Sequence, residues 1–254
     1  MGHVEWVEFA RVERMPQVGE IVHAQAVWEE PAGGGAVVAR QLALLAGRCE
    51  LFTALGADEL GERAERRLAG LGISVHAQRF GATRRAWTHV DGVGERTITV
   101  LGDKLLPHGD LPLAGYDAIF FVAGRTETLR AARAARFLAA TLRERPALLD
   151  AGVPLDLLVG SAHDPGERLD DSLAAVTVVL TAGAAGGTAN GEPYAAAPPA
   201  GPVVDTYGAG DSFAAALCFA LARGDARPDA LALAARAGAA VLAGQGPYAT
   251  QLTL

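Results

Sequence analysis

The sequence predicts an α/β fold: a mostly parallel central sheet, helices on both of its faces, and a smaller sheet standing off it. Three observations predict it. Short unbroken apolar runs at 118–122, 147–149, 157–159 and 176–180 have the composition of strands covered on both sides. Helical stretches alternate with such runs, which is the pattern of a parallel sheet with crossover helices. Two regions, near 8–27 and 84–101, instead alternate apolar and polar residues around turn signals, as half-exposed strands do.

Taken in order, residues 4–27 read as strand, turn, strand, with Met15-Pro16 and Gly19-Glu20 at the turn. Pro31 to Gly35 is a glycine-rich turn, and Val38, Leu42 and Leu45 at helical spacing predict a helix from about 36 to 46. A strand at 51–55 precedes an amphipathic helix over 58–71, with Glu62, Glu65, Arg66 and Arg67 on its wet side and Gly70 and Gly72 at its stop. The arms 86–90 and 96–101 form a hairpin through Asp91-Gly92-Val93-Gly94. Trp87 and His89 on one arm share a face with Thr99 or Ile98 on the other, a pairing suited to cross-strand packing or a subunit contact. An Ala/Arg helix is expected at about 128–144, and two final helices at about 210–223 and 228–243. With no fixed-period repeat and no long linker, the 254 residues are expected to form one domain.

A formal charge of −7 and a pI near 5.4 argue against nucleic acid or an anionic membrane as partner. No apolar run reaches the ~20 residues that span a bilayer. Glu5, Glu8, Arg11 and Glu13 leave no room for a signal peptide, and Cys49 and Cys218 stand apart in apolar surroundings. A cytoplasmic protein is the expectation.

The segment with most chemical content is Val203-Val204-Asp205-Thr206-Tyr207-Gly208-Ala209-Gly210-Asp211-Ser212-Phe213, followed by an alanine-rich helix. Gly208 and Gly210 let main-chain amides converge with no Cβ in the way, and the helix start adds partial positive charge. A phosphate fits there, and Asp211 beside it is placed to accept a proton from an attacking hydroxyl. Every fixed position of Asp-Thr-x-Gly-Ala-Gly-Asp is present, at Asp205, Thr206, Gly208, Ala209, Gly210 and Asp211. This resembles the second signature of the ribokinase-like (PfkB) carbohydrate kinases, and the resemblance extends over nearly the whole chain.

The resemblance implies a three-layer ribokinase-like sandwich whose small sheet is a β-lid over the acceptor, with strands at about 8–27 and 84–101. It implies that Asp211 is the catalytic base and that Gly208, Ala209 and Gly210 form an anion hole. Gly33 and Gly34 resemble the first signature, where a sugar approaches the backbone; the asparagine expected four residues on is Val38. Thr181, Gly183 and Gly186, after the run ending at Leu180, resemble the strand-to-loop nucleotide segment, with Asp205 and Thr206 completing the nucleotide side. Ser161-Ala162-His163-Asp164 stands where relatives carry Asn-x-x-Glu, so Asp164 takes the place of the carboxylate that organises Mg²⁺. Asp205, with the carbonyl of Tyr207, corresponds to a monovalent-cation (K⁺) site behind the anion hole. The aspartate that binds sugar hydroxyls in relatives is replaced by Val7, leaving Glu8 or Glu5 for that contact. Gly2 matches a glycine that relatives precede with a full core strand, so a start a few residues late and a short central strand are expected. Ala54 to Gly61 resembles a Gly-x-Asp-x-x-Gly turn with a structural role.

The expected function is therefore ATP-dependent phosphorylation of an alcohol on a small sugar-like molecule. A nucleoside kinase, or a catalytically weak sensor on the same fold, are the alternatives. Exposed lid strands suggest a homodimer through that sheet. A dehydrogenase is excluded, since no Gly-x-Gly-x-x-Gly follows an early strand.

Overall fold

Strands β7 (Ala118–Phe121), β8 (Phe137–Thr141), β9 (Leu155–Ser161) and β10 (Ala175–Thr181) lie parallel and in chain order in the computed structural model, which describes residues 1–254. Two short antiparallel strands, β11 (Gly187–Ala189) and β12 (Glu192–Tyr194), extend the β10 edge to six strands. Alternate side chains of the parallel strands go to opposite faces, and both faces are apolar. Phe120, Ala139, Leu157 and Val159 pack against α1 (Gly34–Ala46), α5 (Ala209–Ala222) and α6 (Arg227–Val241). Ile119, Phe121, Leu138, Ala140 and Leu158 pack against α3 (Thr126–Ala132) and α4 (Arg145–Ala151). The result is the expected three layers.

A parallel pair, β3 (Glu50–Leu55) and β4 (Ser74–Arg79), continues beyond β7, with α2 (Glu59–Gly70) crossing between its strands. The link between this pair and β7 is only two residues wide. The Met1 ammonium donates to Phe120 O at 2.9 Å, Val122 N donates to Met1 O at 2.9 Å, and Gly2 N donates to Phe52 O at 3.1 Å. Gly2 lies so close to Gly35 that a Cβ on it would be 2.7 Å from the Gly35 Cα, so α1 can nestle against the chain at this point only with glycines there.

The smaller sheet, the one expected to act as a lid, has four strands in the order β2-β1-β5-β6, built from β1 (Glu5–Arg11), β2 (Ala26–Ala32), β5 (Arg85–Val90) and β6 (Arg96–Leu101). Its central pair, β1 and β5, is parallel, and the two hairpins flank that pair. The first hairpin is wider than the 8–27 expected, since the chain between Arg11 and Ala26 is turn and loop. Trp87 opposes Thr99, as the shared face required.

Two expectations in the middle of the chain fail. The helix expected over 128–144 ends at Ala132, and the apolar Phe137–Thr141 is strand β8. The strand expected at Ala147–Leu149 is helix α4, whose Pro146 sits in the first turn where its missing N–H costs nothing. Alanine-rich runs carry helix-like composition in both places, and position against the sheet decides. Strands β4, β11 and β12 were also not anticipated. No helix is long and apolar enough to cross a membrane.

Candidate active site

The candidate side chains collect at the C-terminal ends of β7–β10, where ligands bind in open α/β sheets. Two helix N-termini point there. Gly208 caps α5 in the left-handed region at φ 84°, and Gly33 caps α1 at φ 85°, conformations that favour glycine. Residues in the first turn of a helix have no intrahelical acceptor for their N–H groups. The amides of Gly210 and Asp211 are in that position, while Ala209 N makes a long bond to Thr206 O at 3.4 Å; a Cβ on Gly210 would meet nothing within 4 Å, so the space beside it is open.

Asp211 is partly exposed at the floor of this space. Its Oδ1 would lie 3.1 Å from a Cβ on Gly34, which places the two signatures side by side. Burial raises its pKa to about 6. Arg96 and Arg143 oppose that shift, and Glu167 and Glu5 reinforce it.

Asp205 is fully buried and serves the loop itself. Its two oxygens accept from Tyr207 N at 2.8 Å and Gly246 N at 2.9 Å. No cationic side chain bonds to it, and burial raises its pKa. Tyr207 continues the brace by accepting from Gly33 N through Oη at 3.3 Å, so the two glycine segments are pinned to each other. Thr206 N donates to Gly94 O in the lid at 3.0 Å.

Thr181 ends β10, and Gly183 and Gly186 form the tight turn into β11, closed by Ala182 N to Gly186 O at 2.7 Å. A Cβ on Gly186 would be 2.0 Å from Tyr194 O, so only glycine fits. This turn is tied to the β9 loop by Ala162 N to Thr181 O at 2.9 Å. Asp164 in that loop is ion-paired with Arg143. A second carboxylate, Glu167, stands in the same loop: it accepts from Ser161 N at 2.7 Å, meets Arg143 at 3.0 Å, and acts electrostatically on Asp211. Sequence reasoning missed it because it sits six residues past Ser161, outside the motif spacing. No group of three or more metal-ligating side chains occurs, so a metal here would take most of its ligands from phosphate and water.

On the acceptor side Gly33 is flanked by His3 and Glu5. A Cβ at Gly33 would lie 3.1 Å from the His3 ring and 3.2 Å from Glu5 Cγ. Glu5 Oε2 is 3.3 Å from Arg84 Nε, and Glu5 Oε1 is 3.8 Å from His3 Nε2. His3 Nδ1, Glu5 Oε2 and Arg84 Nε are buried without hydrogen-bond partners, an uncommon concentration of unmet polar atoms. Burial, with Lys104, Arg84 and Arg143 nearby, lowers the His3 pKa to about 3, so the ring is neutral. Burial raises the Glu5 pKa, against the pull of Arg84 and Lys104.

Glu8 is not brought to this cluster. It pairs with Arg85 on the outer face of the lid, opposite to its neighbours Val7 and Phe9, which pack with Tyr207. Strand alternation turns Glu5 and Glu8 to opposite faces, so of the two candidate acids only Glu5 reaches the site. Val38 likewise faces the core, against α5, and not the open space. Asp58, in the Gly-x-Asp turn, caps α2 by accepting from Gly61 N at 2.9 Å and also accepts from Thr83 N at 2.7 Å.

Comparison with solved structures finds the same fold over nearly the full chain. Ribokinase from Thermotoga maritima has a TM-score of 0.78 at 20% identity, covering 99% of this chain and 94% of its own. Ribokinase from Cryptococcus neoformans in complex with ADP gives 0.75 at 22%, covering 99% and 95%. The nucleoside kinase of Burkholderia thailandensis in complex with inosine gives 0.80 at 18%, covering 99% and 92%. No curated protein sequence matches. A family profile described as pfkB family carbohydrate kinase matches residues 2–117 and 155–253; the internal stretch it leaves out, 118–154, contains both elements that the sequence reading mistook. With that match spanning both glycine signatures, the chain belongs to the pfkB family of carbohydrate kinases.

Proposed function

We propose that this kinase transfers the terminal phosphoryl group of ATP to an alcohol of a small sugar-like or nucleoside-like acceptor, with Asp211 as base. The observation that carries this reading is the closeness of Asp211 to Gly34, whose Cβ, were there one, would lie 3.1 Å from Asp211 Oδ1, beside the N-terminus of α5. The hydroxyl loses its proton to Asp211 as its oxygen closes on phosphorus. Amides of the Gly208–Asp211 segment, those of Gly210 and Asp211 free and that of Ala209 held only by a 3.4 Å bond to Thr206 O, stabilise the charge on the transferring group. Nucleotide lies along Thr181, Gly183 and Gly186 toward Thr206; among its structural neighbours, the Cryptococcus protein is an ADP complex.

Mg²⁺ would neutralise phosphate charge, its waters oriented by Asp164 and Glu167, both already gathered by Arg143. A monovalent cation is assigned behind the loop because Asp205 is a buried carboxylate with no cationic partner. The acceptor's other hydroxyls meet Gly33, Gly34 and the unmet atoms of His3, Glu5 and Arg84, replacing the family aspartate absent at Val7. Closing the lid over them excludes water as a competing acceptor.

The test is ATP consumption over a panel of sugars, nucleosides and polyols, with wild type and Asp211→Asn side by side. The expected result is at least one acceptor whose turnover depends on Asp211. If no compound gives Asp211-dependent turnover, the sensor reading replaces this one.

A homodimer through the lid is also proposed. The outer face is a concave groove of about 820 Å³ that includes Glu8, Ala10, Val27, Glu29, Trp87 and His89, with Val27 74% and Trp87 48% exposed.

A further inference from the structure

The turn between β5 and β6 is docked on the segment that leads into the anion hole. Gly94 O accepts from Thr206 N at 3.0 Å. Arg96, the first residue of β6, donates through Nη1 to Thr206 O at 3.3 Å and to Thr206 Oγ1 at 3.2 Å. Arg11, the last residue of β1, donates to Val204 O at 2.6 Å. The approach is backbone on backbone: Gly94 has φ 85°, and a Cβ there would lie 2.9 Å from Val203 and 3.2 Å from Val204.

The turn is stiff enough to transmit position. Asp91 Oδ1 accepts from Val93 N at 3.0 Å and Glu95 N at 2.9 Å, and Gly92 N donates to Glu13 O at 3.0 Å. On the other side Thr206 is two residues from the Gly208 cap, with Asp205 and Tyr207 already fixed by their own hydrogen bonds. The Arg96 guanidinium has no carboxylate partner, so these contacts to Thr206 are its only bonds within the chain.

We propose that Gly94 and Arg96 are positioning residues that latch the lid to the anion hole, so that the amides of Ala209, Gly210 and Asp211 reach transfer geometry only with the lid down. The proposal rests on the phosphotransfer reading above. Acceptor binding beneath the lid then sets the hole through Thr206, and ATP alone leaves it loose. A displacement of the hole by about 1 Å is enough to lower turnover by about 10²-fold.

The test compares wild type with Arg96→Ala, Arg96→Lys and Gly94→Ala, using ATP with MgCl₂ and the acceptor turned over in the panel, or ribose and inosine as probes. Arg96→Ala and Gly94→Ala should lower kcat about tenfold or more while the KM of nucleotide and acceptor stay within about threefold, and Arg96→Lys should recover part of the loss. Amide hydrogen exchange adds a readout that needs no turnover: residues 204–211 should exchange about tenfold faster in Arg96→Ala, with β1 and β5 unchanged. Unchanged exchange at 204–211, or a kcat loss no larger than the loss of folded protein, would overturn the latch. A large rise in nucleotide KM would overturn it too, since Arg96 would then act on phosphate directly. Asp211→Asn separates the two readings: turnover that survives it removes the phosphotransfer reading, whereas the exchange result still reports on the latch.

Discussion

Asp211 sits where a carboxylate is costly to ionise. Protein surrounds it on most sides, and that burial outweighs the help of Arg96 and Arg143, leaving its pKa at about 6. Two consequences follow for experiment. As the base must be ionised, kcat/KM should fall on the acid side with a limb near pH 6, above the ordinary carboxylate value of 3.8. A carboxyl whose folded-state pKa lies above its unfolded one also opposes folding when ionised; the penalty is absent below the unfolded value and fully present above the folded one. Asp211→Asn should therefore lower turnover by about 10²–10⁴-fold while thermal stability at pH 7 equals or exceeds that of wild type. A limb near pH 4, or an Asn variant that melts earlier, would show the carboxylate to be better solvated than this. Asp211 and both glycine segments could be picked out as candidates in sequence because each motif is local. His3, Glu5, Arg84 and Glu167 were not assembled, since they come from the lead-in to β1, from β1 itself, from the approach to β5 and from a loop beyond β9. A signal did exist for Glu5: a charged residue within the apolar run Val4-Glu5-Trp6-Val7 is buried, and a buried acid needs a partner.

Elements were legible where periodicity was strong and illegible where alanine dominated. Helix α2 was found within a residue or two because its polar face, its Asp58 start and its glycine stop all agree. Strand β8 and helix α4 exchanged identities, because Ala-Leu runs bounded by arginine suit either state and the parallel pairing of β8 with β7 and β9 decides between them. The Asp58 cap shows how much one legible element end holds. It satisfies the first turn of α2 and, through Thr83, anchors the chain entering β5. Burial works to raise its pKa, yet the bonds from Thr83 and Gly61 prevail and hold it below the ordinary value. Its contribution is thus complete above about pH 4 and is lost as pH falls through the lowered folded value. Asp58→Ala should cost about 2–3 kcal/mol in denaturant unfolding at pH 7, and less at pH 3 where the wild-type carboxylate is itself being protonated. An equal cost at both pH values would mean that the position matters for packing rather than for its charge.

At the scale of the molecule, the lid is a two-faced sheet, and each face has its own task. The inner face carries Phe9, Ala86 and Val90 against Tyr207, in the segment that leads to Asp211. The outer face carries Trp87 and Val27, exposed, over a groove that nothing in the chain fills. Both faces belong to the same strands: Glu5 and Glu8 are on β1, and Arg84 directly precedes the β5 that bears Trp87. Covering the outer face with a second copy would therefore stiffen the strands that present Glu5 and Arg84 to the acceptor, without touching the nucleotide loops at Thr181 and Gly186. Replacing Trp87 by Glu places a charge in that groove beside Glu8, an arrangement an apolar interface rejects. Sedimentation should show wild type as a dimer at micromolar concentration and Trp87→Glu as a folded monomer. In the monomer the acceptor KM should rise about tenfold while the ATP KM stays within about threefold, since only the acceptor depends on the lid. A wild type that sediments as a monomer at every concentration would leave the outer face without this role; a monomeric variant with unchanged acceptor KM would separate assembly from acceptor binding.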